Sequence, residues 1–227
     1  LRKRLLDDIR ARLPEGFEVE KHFNPGYRPW QQRIAVVPDG DMFAAMSSGK
    51  ASVVTDGIEH LDAKGIVLQS GERLDADIIV AATGFNLKLF DDVPFSIDGD
   101  PVDFSQHVPY RGVMLNGLPN MAYVMGYFRF GWTLRVELVA DWVNRMLSHL
   151  DATGKRSVTA TLRPQDVDMV LQPWCNADNF NPGYIARSQH VMHRSGDREP
   201  WTHLHDYDHD RDTLPQASLQ EDVLIYR

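Results

Sequence analysis

Leu5, Leu6, Ile9 and Leu13 recur at helical spacing among Lys, Arg and Asp, which predicts an amphipathic helix over 1–13 that Pro14 and Gly16 stop. Phe23 to Arg33 has no such period; its prolines, glycine and aromatics predict a loop held in place from outside. The turn Pro38-Asp39-Gly40 leads into a short helix over Met42–Met46, and Val53-Val54-Thr55 reads as a strand. Ile66 to Gln69, the dipeptide Ser70-Gly71 and a polar strand ending at Leu74 predict a hairpin. Ile78 to Ala82 is apolar throughout, without polar alternation. That pattern predicts a strand covered on both faces, as in a parallel or mixed sheet. Gly84 ends the run, and a position without a side chain lets a flat ring or a phosphate come close.

The second half opens with loops around Asp91, Pro94, Gly99 and Pro101, followed by a candidate strand over Tyr110–Leu115 and an apolar run over Met121–Met125. The strongest helical pattern follows: Leu134, Leu138, Val139, Trp142, Val143, Met146, Leu147 and Leu150 on one side, Arg135, Glu137, Asp141, Asn144 and Arg145 on the other. Burying that face contributes on the order of 10 kcal/mol gross before chain entropy is subtracted, so a core is expected around it. From Lys155 onward the chain is aromatic, proline-rich and polar, and regular structure is weakly encoded.

Thirty-two acidic residues against 24 basic give a net charge of -8, which argues against nucleic acid or an anionic membrane as the main partner. No apolar run approaches the ~18 residues of a membrane span and no signal peptide is evident, so a cytoplasmic protein is expected. Cys175 is the single cysteine and cannot pair within the chain; with no base beside it in sequence, it reads as an inert thiol. His203, His205, Asp206, Asp208, His209 and Asp210 have the chemistry of metal ligands, but their alternation in a polar tail reads as a solvated segment, and no metal is expected. The first residue is Leu1 rather than Met, so the chain is expected to be a piece of something longer.

Several segments in a fixed order carry a resemblance. Asp77-Ile78-Ile79-Val80-Ala81-Ala82-Thr83-Gly84-Phe85 is similar to the segment that links the NADP-binding and FAD-binding domains of flavin-containing monooxygenases and type I Baeyer-Villiger monooxygenases. Phe23 to Arg33, Gly49 to Asp56, Tyr110 to Met114, Pro119 to Tyr123, Gly126-Tyr127, Gly183-Tyr184 and Pro200-Trp201 resemble the bacterial branch that includes the ethionamide-activating monooxygenase. The resemblance implies an α/β fold belonging to a flavoprotein with two Rossmann-like dinucleotide-binding domains. Residues 1–82 would end the NADP-binding domain and 83–227 would form the C-terminal part of the FAD-binding domain. Neither glycine-rich phosphate turn is present in the chain, so an N-terminal half carrying both is expected before Leu1, and the chain alone is expected to be inactive.

The resemblance also implies FAD and NADP as cofactors, and O2 with a ketone, sulfide or amine as substrates. One oxygen atom would be inserted or transferred by way of a flavin peroxide. Arg33 would be the catalytic guanidinium that stabilises oxyanion charge over the flavin. Thr83, Gly84 and Phe85 would line the domain junction beside FAD. Gly126, Tyr127, Gly131, Trp132 and Thr133 would close its pyrimidine side at a helix N-terminus, whose free N–H groups and partial positive charge suit a ring that becomes anionic on reduction. Two departures stand out: Gln32 precedes Arg33 where the family has Lys, and Phe128, Arg129 and Phe130 replace small polar residues before the Trp-Thr pair. Two other readings stay open, a flavin reductase that does not oxygenate and a non-catalytic module that associates with a second copy.

Overall fold

In the computed structural model, which describes residues 1–91 and 93–227, the first helical pattern becomes α1 (Arg2–Arg10). Its Leu6 packs with Leu13 and with Val19 of α2 (Val19–Phe23), and Phe17, Phe23, Phe43 and Met46 close over them. Phe43 and Met46 belong to α3 (Asp41–Ser47). Gly40 ahead of α3 has φ 68°, a conformation that favours glycine, with the mobile end of the Arg12 side chain against it. The loop after Phe23 is held as expected by something outside it: the Arg2 guanidinium donates to Asn24 Oδ1 at 3.1 Å and to the Tyr27 carbonyl.

Three antiparallel strands follow: β1 (Ile58–Asp62), β2 (Gly65–Leu68) and β3 (Arg73–Asp75), in that order across the sheet. The predicted hairpin is β2–β3, with Ile66 opposite Leu74; β1, which pairs Leu61 with Ile66, was not legible in the sequence, and all five of its residues are exposed. Val53–Thr55 forms no strand. Neither does Ile78–Ala82: Ile78, Ile79 and Val80 are 82%, 43% and 82% exposed. A strand apolar on both faces needs neighbours and cover on both sides, and the described residues supply neither. All ladder pairings among the described residues are antiparallel, so the architecture they establish is a mixture of helices and small antiparallel sheets.

The chain divides into two compact units, Leu1–Phe85 and Asn86–Arg227. The second opens with the hairpins β4 (Ser96–Ile97) with β5 (Asp100–Pro101), and β6 (Pro109–Tyr110) with β7 (Met114–Leu115). The single strand expected over 110–115 is therefore folded back on itself, at Arg111 and Gly112, whose φ values are 49° and 63°. The run 121–125 contributes one bridge, Ala122 to Met114. The long helix is α4 (Trp132–Thr153), closed by the left-handed Gly154 with the Lys155 N–H reaching the Leu150 carbonyl.

Arg135, Val139, Trp142, Met146 and Leu150 form the buried face of α4, so Arg135 lies on the core side rather than the polar side expected of it, while Leu147 is 54% exposed. The tail supplies β8 (Val158–Ala160), β9 (Gln172–Pro173), α5 (Gly183–Ser188), β10 (Arg194–Ser195), α6 (Tyr207–Thr213) and β11 (Leu224–Tyr226). β8 pairs with β11, and Trp201, Leu214, Val223 and Leu224 complete the core around α4. Among the described residues no helix is long and apolar enough to cross a membrane.

Candidate functional site

The residues picked out from the sequence fall in both units. Arg33 and Thr83-Gly84-Phe85 belong to the first, and Gly126, Tyr127, Gly131, Trp132 and Thr133 to the second. Arg33 is exposed on the loop that Arg2 holds. Thr83, Gly84 and Phe85 are exposed at the end of their unit, Phe85 by 56%, and Gly84 takes φ 98°, a conformation in which a larger residue is strained.

The turn before α4 is the most constrained of these places. Gly131 is the N-cap of α4, extended at φ -64° and ψ 140°, and no side chain caps the helix. A 22-residue helix thus begins with its first N–H groups uncapped by any side chain and with the positive end of its dipole at Trp132 and Thr133. The Trp132 indole lies flat against the Gly126 backbone; a Cβ on Gly126 would stand 2.3 Å from the ring. Trp132 is nevertheless 53% exposed, and Phe130 beside it 47%. An aromatic surface therefore stands open next to an uncapped helix start.

The bulky residues that interrupt the family pattern point elsewhere. Phe128 turns inward and stacks between Phe180, with centroids 4.6 Å apart, and His205, 4.2 Å away. His203 continues the column 3.9 Å beyond His205. Arg129 donates to the carbonyl and side-chain oxygens of Asn179. Tyr127 departs from its expected role: its side chain is fully buried, and its hydroxyl donates to Asp210 Oδ2 at 2.8 Å, so a ligand can meet only its backbone.

Under the turn lies a polar cluster that the sequence did not disclose. Arg135, with no exposed surface, donates from Nη1 to the same Asp210 Oδ2 at 2.6 Å and from Nη2 to the Arg111 carbonyl at 2.9 Å. Burial raises the Asp210 carboxyl above its ordinary range, against the pull of Arg135 and of the Tyr127 hydrogen bond. Burial, with Asp210 beside it, raises the Tyr127 phenol.

His203 and His205 are not the solvated tail that alternation suggested. Burial, with His205 and Arg135 close by, holds His203 well below the usual imidazole range, and burial with His193 and Arg135 lowers His205 to about 3. Neither ring nitrogen of His203 has a hydrogen-bond partner among the described residues. Both imidazoles are therefore neutral at pH 7. One signal for this cluster was present: Arg135 falls in register with Val139, Trp142 and Met146. A charged residue on an apolar face indicates a buried partner.

Cys175 is buried, and burial pushes its thiol up to about 12, which leaves it without nucleophilic character. Among the described residues no three His, Cys, Asp or Glu side chains gather as a metal site. A cleft of about 910 Å³ in the second unit is walled by Leu87, Leu89, Phe95, Val102 and Phe104, with Arg187 at its side; the turn before α4 does not line it.

Comparison with known proteins gives close relatives along the entire chain. It is 42% identical over 226 residues to the FAD-containing monooxygenase EthA of Mycobacterium tuberculosis, a match that covers 100% of this chain and 45% of that protein. It is 41% identical over 228 residues to the probable FAD-binding monooxygenase AlmA of an Acinetobacter species, covering 44% of it, and 35% identical over 226 residues to the putative FAD-containing monooxygenase MymA of Mycobacterium tuberculosis, covering 45%. The chain thus spans about half the length of the curated relatives it matches. No family model and no solved structure matches it.

Proposed function

Because the chain belongs to the FAD-containing monooxygenase family, we propose that it is the C-terminal part of a FAD- and NADPH-dependent monooxygenase. The enzyme inserts one oxygen atom from O2 into a ketone, or transfers it to a sulfur or nitrogen centre. The observation that carries this reading, beyond the relatives' names, is the start of α4: a helix N-terminus without a side-chain cap, beside an indole seated on Gly126 and half open to solvent. Backbone donors at such a terminus suit a ring edge that gains negative charge, and the open indole suits a flat neighbour.

When bound, FAD would supply the redox chemistry, with NADPH as reductant and O2 as the oxygen source. The chain's own residues bind and orient. Gly131, Trp132 and Thr133, all exposed, would hold the flavin through backbone and indole, while Gly126, covered by the Trp132 ring, and Tyr127 would support the turn from beneath. Thr83, Gly84 and Phe85 let the chain pass close to the cofactor, and the left-handed Gly84 makes that approach possible. Arg33 places a permanent positive charge where oxyanion charge develops on the reacting substrate. Gln32 in place of Lys leaves Arg33 to do this without a second cation before it in sequence.

The division into residues 1–82 of a NADP-binding domain and 83–227 of a FAD-binding domain belongs to this reading. The test is purification of the full-length protein. It is expected to be yellow, with bound FAD, and to oxidise NADPH faster when a ketone or an organic sulfide is added. A colourless protein that oxidises no NADPH in the presence of added FAD would overturn the proposal. NADPH oxidation that yields only hydrogen peroxide would leave a reductase.

A further inference from the structure

One carboxylate oxygen closes the turn before α4 from both ends. Asp210 Oδ2, carried by α6, accepts from the Tyr127 hydroxyl at 2.8 Å and from Arg135 Nη1 at 2.6 Å, so the residues between 127 and 135 are bracketed by a single atom. Arg135 is anchored once more, through Nη2, to the Arg111 carbonyl at 2.9 Å. That carbonyl lies in the β6–β7 turn, where Gly112 has φ 63° and a Cβ would stand 2.6 Å from Arg135 Nη2 and 2.7 Å from the His203 ring. The guanidinium is therefore held by its two acceptors and packs close against the Gly112 backbone.

Stability is a poor reason to keep such an arrangement. A fully buried ion pair loses hydration that its mutual attraction rarely returns in full, and apolar replacements of similar volume are often neutral or stabilising. What the pair supplies is a fixed position. Tyr127 adjoins Gly126, on which Trp132 rests, and Arg135 stands one helical turn beyond Trp132. A shift of the staple would move the indole and the first N–H groups of α4 together.

We propose that Arg135 and Asp210, with the Tyr127 hydroxyl, are positioning residues that hold the turn Gly126–Thr133 in the geometry required for flavin binding. The tail helix α6 thereby becomes part of the cofactor site without touching the cofactor. This rests on the reading of the turn as a flavin contact.

The experiment compares the full-length protein with Tyr127→Phe and Asp210→Asn, measuring the FAD dissociation constant, the visible flavin spectrum and the melting temperature of the flavin-free form. Tyr127→Phe removes one hydroxyl and keeps the packed ring. It is expected to raise the FAD dissociation constant about tenfold, the scale of one hydrogen bond to a charged acceptor, and to shift the flavin absorption bands, while the flavin-free melting temperature stays within a few degrees. Asp210→Asn removes the charge that draws in both ends of the turn and is expected to weaken FAD binding further. If the unsubstituted protein binds FAD and Tyr127→Phe binds it equally well with an unchanged spectrum, the positioning role is overturned. A fall in melting temperature with unchanged FAD affinity would reduce the staple to a structural tie and overturn it equally. If the unsubstituted protein binds no FAD, the reading of the turn fails first and the proposal falls with it.

Discussion

His203 and His205 bring the sharpest consequence at the scale of single residues. Both are held neutral by burial, with imidazole pKa values below the ordinary 6.5. The unfolded chain therefore takes up their protons first as the solution is acidified. Their contribution to stability is complete above about pH 6.5 and is lost as pH falls from there toward the folded values, by on the order of 1 kcal/mol per pH unit for each ring. Asp210 has the opposite sign: burial raises its carboxyl, so it favours the folded state as pH falls through its folded value toward 3.8. Chemical denaturation midpoints at pH 7.5 and pH 5 should fall accordingly, and His205→Phe, which keeps the ring stack on Phe128, should flatten that slope. Equal slopes for the two proteins would contradict the assignment.

Arg33 carries the chemical prediction at this scale. In the full-length enzyme Arg33→Ala should leave NADPH oxidation measurable while lowering the rate of oxygenated product about 10²- to 10³-fold, the usual effect of removing one group that stabilises an oxyanion. Product formation at the unsubstituted rate would remove Arg33 from the mechanism.

Among the elements, α4 decides most, and its packing makes a pair of contrasting predictions. Trp142 is 2% exposed and packs against Tyr110, so Trp142→Ala should cost about 3–5 kcal/mol in denaturant unfolding. Leu147, which the same apolar pattern placed beside it, is 54% exposed, and Leu147→Glu should stay within about 0.5 kcal/mol. The long helix, α1, α3 and the β2–β3 hairpin were legible because each carries its own period, cap or turn. β1 was missed because all five of its residues are exposed and leave no alternation to read. The run Tyr110–Leu115 looked like one strand because all its apolar residues are buried, but two successive left-handed residues, Arg111 and Gly112, fold it into a hairpin. The staple under α4 escaped for a related reason: its partners lie 75 and 83 residues apart, at distances no local pattern spans.

For the molecule as a whole, the ordered motifs alone resemble those of flavin monooxygenases, and relatives at 35–42% identity along the entire chain bear out that resemblance. The sheet suggested by Ile78–Ala82 does not form: the run is exposed and pairs with no strand among the described residues, and an apolar period alone does not show whether cover is at hand. The proposed activity of the full protein is splitting of O2 with delivery of one atom to an organic substrate. Its most direct test is a reaction of the full-length enzyme with NADPH and a ketone or sulfide under isotopically labelled O2, followed by mass spectrometry of the product. One labelled oxygen atom in the product is the predicted result; a product without label, or labelled hydrogen peroxide alone, would contradict it.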